Sequence, residues 1–164
     1  MRDLIEVLNG QFDSNHRRAL DLLGKASDEI MFRKPAGLEE SRLPLTFGEN
    51  IVRSAAVIEM AFGGITTRLW DDPFEWTLPE ELSSVGRVQG YLEEVAEYRS
   101  NAVSFLRSDD DLKRVTPAPE TLRPILEILV DAISRSSTHL GQAATILHLL
   151  HNQAKQGLGE TPPL

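Results

Sequence analysis

The sequence predicts an all-α fold, a single four-helix bundle of the up-and-down type with a longer loop between its second and third helices. Three observations carry this expectation. Apolar residues recur three and four positions apart over long stretches, the period of a helix with one buried face. Strand-like alternation is nearly absent. The chain has 164 residues, 41% of them hydrophobic and 26% charged, which is the length and composition of one ordinary globular domain. The bundle is expected over residues 1–155, with 156–164 as a C-terminal tail rich in glycine and proline.

The first helix is read from Arg2 to Phe32, with Ile5, Leu8, Phe12, Ala19, Leu22 or Leu23, Ala26 and Ile30 along one stripe and Gly10 or Gly24 as places to bend. Pro35, Gly37 and Pro44 break the pattern. Thr46-Phe47-Gly48-Glu49 has the form of a capping box and starts the second helix. That helix runs to about Trp70 on Ile51, Ala55, Ile58, Phe62, Ile65 and Leu69, until Asp71-Asp72-Pro73 stops it. Val52, Ala56, Val57, Met60 and Ala61 make a second apolar side, more than one seam uses, so a homodimer is expected.

Pro73 to Leu82 reads as a loop pinned by Trp76, and Ser83 or Ser84 caps the third helix. The stripe of that helix is Val85, Val88, Leu92, Val95, Arg99, Ala102 and Leu106, and Asp109 to Arg114 adds one turn. The fourth helix is placed from Glu120 to Gln153, with Pro124 in its first turn and a seam of Leu122, Ile125, Leu129, Ala132, Ser136, His139, Ala143, Ile146 and Leu150.

Charge and cysteine content exclude several functions. A net charge of −8, from 25 acidic and 17 basic residues, repels phosphate backbones, and no basic run exceeds two residues. Nucleic acid is therefore not expected as a partner. With no cysteine there is neither a disulfide, nor a thiolate metal ligand, nor a thiol nucleophile. Asp3 and Glu6 interrupt any signal-like start, and no apolar run reaches the ~20 residues that span a bilayer. A cytoplasmic location without membrane association is the expectation.

Polar residues on a bundle seam need partners, which draws attention to Ser54, Arg99, Ser136 and His139, all expected to point inward. A metal needs several converging ligands. His148 and His151 read instead as a solvated last turn, and the Ser136-Ser137-Thr138 run has no base but His139. Arg135 lies one turn before His139, so the pair, with the Ser136 hydroxyl, can reach a common small anion. The competing arrangement pairs Arg135 with Asp131, one turn earlier. Arg53 is expected to stand apart from this site.

PLTFGENIVRSAAVIEM and PETLRPILEILVDAISRSSTHLGQAATILHLL, with the long third helix between them, resemble the DinB-like (YfiT-like) family of damage-inducible metalloenzymes. His139-Leu140-Gly141-Gln142 is similar to the family's His-x-Gly-Gln signature in the last helix, and the likeness extends from Leu4 to about Leu150. The resemblance implies an often dimeric bundle holding nickel or zinc on three histidines, with some relatives acting as thiol-dependent transferases or hydrolases. The other two histidine positions hold Ser54 and Arg135 here, so His139 is the one matching metal ligand. The expectation is a degenerate metal site with no cofactor, binding a small molecule through Ser54, Arg135, Ser136 and His139, with no catalytic residue assigned. Nickel or zinc would return if the family site were retained. Two alternatives stand: a divalent-metal hydrolase or thiol transferase with a non-standard ligand set, and a non-catalytic dimeric association module.

Overall fold

The computed structural model describes residues 1–38, 46–71 and 82–157. The chain is predominantly helical. Its elements are α1 (Asp3–Leu23), a single-turn α2 (Asp28–Met31), α3 (Phe47–Thr67), α4 (Val85–Val103), a 3₁₀ turn (Asp109–Lys113), strands β1 (Val115–Pro117) and β2 (Leu122–Pro124), and α5 (Ile125–Lys155). α3 packs most extensively on α5 and also against α4, while α1 packs on both α5 and α4. Phe12, Phe62, Leu129, Leu140 and Ile146 fill the space between them. Phe12 and Phe62 meet edge to face at 5.3 Å, the arrangement favoured by ring quadrupoles.

The capping box at the start of α3 is present. The Glu49 amide donates to the Thr46 hydroxyl at 3.3 Å, and the Thr46 amide donates to the Glu49 carboxylate at 2.7 Å. Ser84 caps α4 by accepting from the Arg87 amide. The first helix is shorter than its stripe suggests. Beyond Leu23 the amides of Lys25 and Ala26 turn back three residues to Leu22 and Leu23, and Ser27 becomes extended before α2 begins. Gly24, a poor helix former, stands at that break.

α3 stops at Thr67 rather than Trp70, because Arg68 adopts a left-handed conformation at φ 62°. The chain then folds Trp70 back over Gly64. A Cβ on Gly64 would lie 2.4 Å from the indole ring, so only glycine permits the contact. The indole N–H donates to the Pro117 carbonyl at 2.7 Å and ties the end of α3 to β1. The expected loop with Trp76, and the tail from residue 158, lie outside the described residues.

The start of the fourth long helix needs correction. Residues 122–124 are extended and pair antiparallel with 115–117, in register Val115 with Pro124 and Thr116 with Arg123. Thr116, Ala118 and Arg123 each precede a proline, a position where ring contacts disfavour helical torsions. Helix α5 therefore starts after Pro124. At its other end the Gln153 amide donates to and accepts from the backbone of Ala36, clasping the turn at Pro35–Leu38. Gly37 supplies the positive φ that turn requires.

Asp109 acts across the fold: its carboxylate accepts from the Ile5 amide at the start of α1, 104 residues away in sequence. That removes one of the orphan donors of the helix N-terminus. Among the described residues no helix is long and apolar enough to cross a membrane.

Candidate functional site

The polar seam residues divide between two sides of the α3–α5 contact. Successive residues of a helix are about 100° apart, so small offsets decide which side a group faces. Ser54 on α3 and Ser136 on α5 face α1 and α4. Both are buried, at 2% and 1% exposure. They line a recess of about 20 Å³ with Asn15, His16 and Arg99, room for about one water molecule. The Ser54 hydroxyl donates to the Ile51 carbonyl at 2.6 Å.

Arg99 is the charged centre of this inner cluster. Its guanidinium pairs with Asp13, donates to the backbone and side chain of Asn9, and lies 5.9 Å from the centre of the Phe12 ring. Such partners are what a buried cation requires. The same packing lowers the pKa of His16, first through burial and then through Arg99, against the opposing pull of Asp13 and Glu93. Ser137 adds a bond to Asn15, whose amide donates to the Ile133 carbonyl. The cluster reads as a satisfied polar network inside the helices.

His139 is half-buried on the other side, an outcome that differs from the inward direction its seam position suggests. It shares a recess of about 30 Å³ with Arg53, Met60 and Arg135. Its Nδ1 lies 3.1 Å from Oδ1 of Asn50, a residue with no exposed surface. The Asn50 amide nitrogen donates to the Thr46 carbonyl at 3.0 Å, which leaves Oδ1 as the acceptor. In the neutral ring the proton therefore sits on Nδ1, and Nε2 carries the lone pair. Burial, then Arg53, then Arg135 lower the His139 pKa, with the Gln142 side chain acting against them. These influences favour the uncharged imidazole over the imidazolium.

Of the four residues expected to form one site, the structure brings Arg135 to His139 and places Ser54 with Ser136 elsewhere. Arg53, expected to stand apart, lines the same recess as Arg135 and His139. Among the described residues Arg135 has no ion pair, and Asp131 lies instead 3.9 Å from Arg123. Asn50 and Arg53 were not foreseen as neighbours of His139. The signal was their spacing, since residues three apart share a helix face.

The positions that resemble the family's metal ligands do not fit a divalent cation. Ser54 lies in the other recess with its hydroxyl proton engaged, and Arg135 and Arg53 place two fixed positive charges beside the one imidazole. Among the described residues no three His, Asp or Glu side chains gather as a metal site. What the arrangement can do is hold an anion between two guanidiniums, with the imidazole contributing a third polar contact.

The apolar second side of α3 also has a different role from the one its composition suggests. Val52, Ala56, Val57 and Ala61 are buried within the chain, and of this side Met60 alone is partly exposed. The four buried residues of this side serve the chain's own core.

Compared with known proteins, the chain matches no protein-family model, no curated protein and no solved structure.

Proposed function

We propose that the protein is a small-molecule binder built as a DinB-like, up-and-down four-helix bundle, in which anion recognition has replaced the metal chemistry of that family. One observation carries the reading: Arg53, Arg135 and His139 converge on a single recess in a chain of net charge −8. A guanidinium keeps its charge at every physiological pH, so two of them attract an anion and repel the cation that a metal-dependent hydrolase or thiol transferase needs. The function is binding rather than turnover, and no residue is assigned a catalytic role.

The test is a two-dimensional NMR titration of the full chain with acetate at neutral pH and low salt. Amide shifts should cluster around Arg53, Arg135 and His139. Arg135→Ala and Arg53→Ala should each weaken binding by roughly tenfold, the loss of one charge-assisted hydrogen bond. Stoichiometric nickel or zinc held by His139 in untagged protein, or acetate binding indifferent to both arginines, would overturn the proposal.

A further inference from the structure

Ser136 stands apart from the other polar groups of the inner cluster. Arg99 is held by Asp13 and Asn9, Asn15 by the Ile133 carbonyl and Ser137, and the Ser54 hydroxyl by the Ile51 carbonyl. Ser136 is 1% exposed, and among the described residues its hydroxyl has no hydrogen-bond partner. A hydroxyl inside a helix commonly returns its proton to the carbonyl one turn earlier, as Thr138 and Thr145 of α5 do to Ser134 and Gly141. Ser136 makes no such bond. A buried hydroxyl left unpaired is costly, and native proteins rarely keep one.

The recess that Ser136 lines lies between all four long helices. Asn15 and His16 reach it from α1, Ser54 from α3 and Arg99 from α4. Its volume of about 20 Å³ exceeds the ~10–15 Å³ that one water needs and is too small for an organic ligand. A buried water also needs two to four polar partners. Ser54 has given its proton to Ile51 and keeps lone pairs on its oxygen, and the His16 ring makes no hydrogen bond among the described residues.

We infer that the inner recess is a binding site for one water molecule, which accepts from the Ser136 hydroxyl and donates to the Ser54 oxygen and the His16 ring. Charge selects water over an ion of similar size. The Arg99 guanidinium has its counter-charge in Asp13, which leaves no excess positive charge to hold a halide. No carboxylate lines the recess among the described residues, so an ammonium ion has no counter-charge there. The water joins α5 to α1 and α3 on the side of the α3–α5 contact away from His139. It is independent of the anion site, because no described residue lines both recesses.

The experiment combines a crystal structure of the full chain grown in sodium bromide with urea unfolding of variants. Electron density within hydrogen-bond distance of Ser136 Oγ, with no bromine anomalous signal, is the expected result. A bromine signal there would make it a halide site, and a recess without density would be dry; either overturns the inference. In urea, Ser136→Ala should lower the unfolding midpoint, because the water loses the donor that anchors it. Ser134→Ala, at an exposed position of the same helix, controls for the better helix propensity of alanine and should leave the midpoint unchanged or slightly higher. If Ser136→Ala raises the midpoint as much as Ser134→Ala, the hydroxyl was unpaired and the inference fails. Ser54→Ala and Ser136→Ala together should lower the midpoint by less than the sum of their separate shifts, since both release one water, and additive shifts would overturn the bridge.

Discussion

Asn50 and His139 are joined across the α3–α5 contact, Oδ1 to Nδ1 at 3.1 Å, and this bond sets both the tautomer and the orientation of the imidazole. Asn50 can hold that role because its own amide is anchored on Thr46, the residue that caps α3. The helix cap, the buried amide and the half-buried ring are thus one chain of hydrogen bonds. It leads from the local signal at Thr46–Glu49 to the candidate site.

Replacing Asn50 by leucine should cost about 1–3 kcal/mol in denaturant unfolding, because the Thr46 carbonyl and the imidazole N–H both lose a buried partner. Asn50→Asp should act differently. A carboxylate beside Nδ1 favours the imidazolium, so the His139 pKa, now below 6.5, should rise, as an NMR titration of the ring would detect. The added negative charge should also weaken acetate binding at Arg53 and Arg135.

Stability should depend on pH through His16 and His139. Both have pKa values below the ordinary 6.5, so between the folded and unfolded values the unfolded chain binds more protons. Their contribution is therefore complete above about pH 6.5 and declines as the pH falls below it. Unfolding in urea at pH values from about 7.5 to 5 should show stability falling toward acid, and His16→Gln with His139→Gln should flatten the slope. Asp110 and Asp111, whose pKa values are lowered by Lys113 and by the Arg107 and Ser108 amides respectively, act only in a separate window below about pH 4. A slope unaltered by both histidine substitutions would contradict the assignment.

Anion binding should show the opposite sense. Protonating His139 adds a positive charge to the recess, so acetate affinity should rise as the pH drops below about 6.5 and level off above it. In His139→Gln the affinity should be flat over the same range. Titrations at constant ionic strength separate this effect from screening.

Gly64→Ala should destabilise the protein by about 1–3 kcal/mol, the usual cost of overpacking, since the new methyl would occupy the Trp70 ring position. The indole N–H should lose its bond to the Pro117 carbonyl and become faster to exchange with solvent. If the variant unfolds at the wild-type denaturant midpoint with an unchanged indole resonance, the close approach does not hold in solution.

Asp13→Ala should cost about 1–3 kcal/mol, measured by thermal or urea unfolding, because it removes a carboxylate that pairs with the buried Arg99. Asp13 is itself 44% exposed, so the loss should fall short of that for a fully buried pair. Asn9 keeps two of the hydrogen bonds to the guanidinium. Arg99→Met should be milder still, since it removes the buried charge together with its need for partners.

Helix periodicity alone determined the all-α class, the long helical segments, most of their buried stripes and the capping box at Thr46, because each depends on residues within a few positions of one another. Proline spacing held the information for the β1–β2 hairpin, yet Pro124 suits a first helical turn equally well, and the pairing partner that chose between the two lies at Val115. The site depended on tertiary structure. His139 and Ser136 occupy one apolar seam in sequence, but a residual angle of about 60° between them lets α3 and α1 claim different sides. Arg53 entered the site for the same reason, since the rotation of α3 against α5 carries it to Arg135 while turning Ser54, one residue on, toward Arg99. A stripe specifies which face of a helix is buried; the packing of two helices specifies which of its edges becomes a recess.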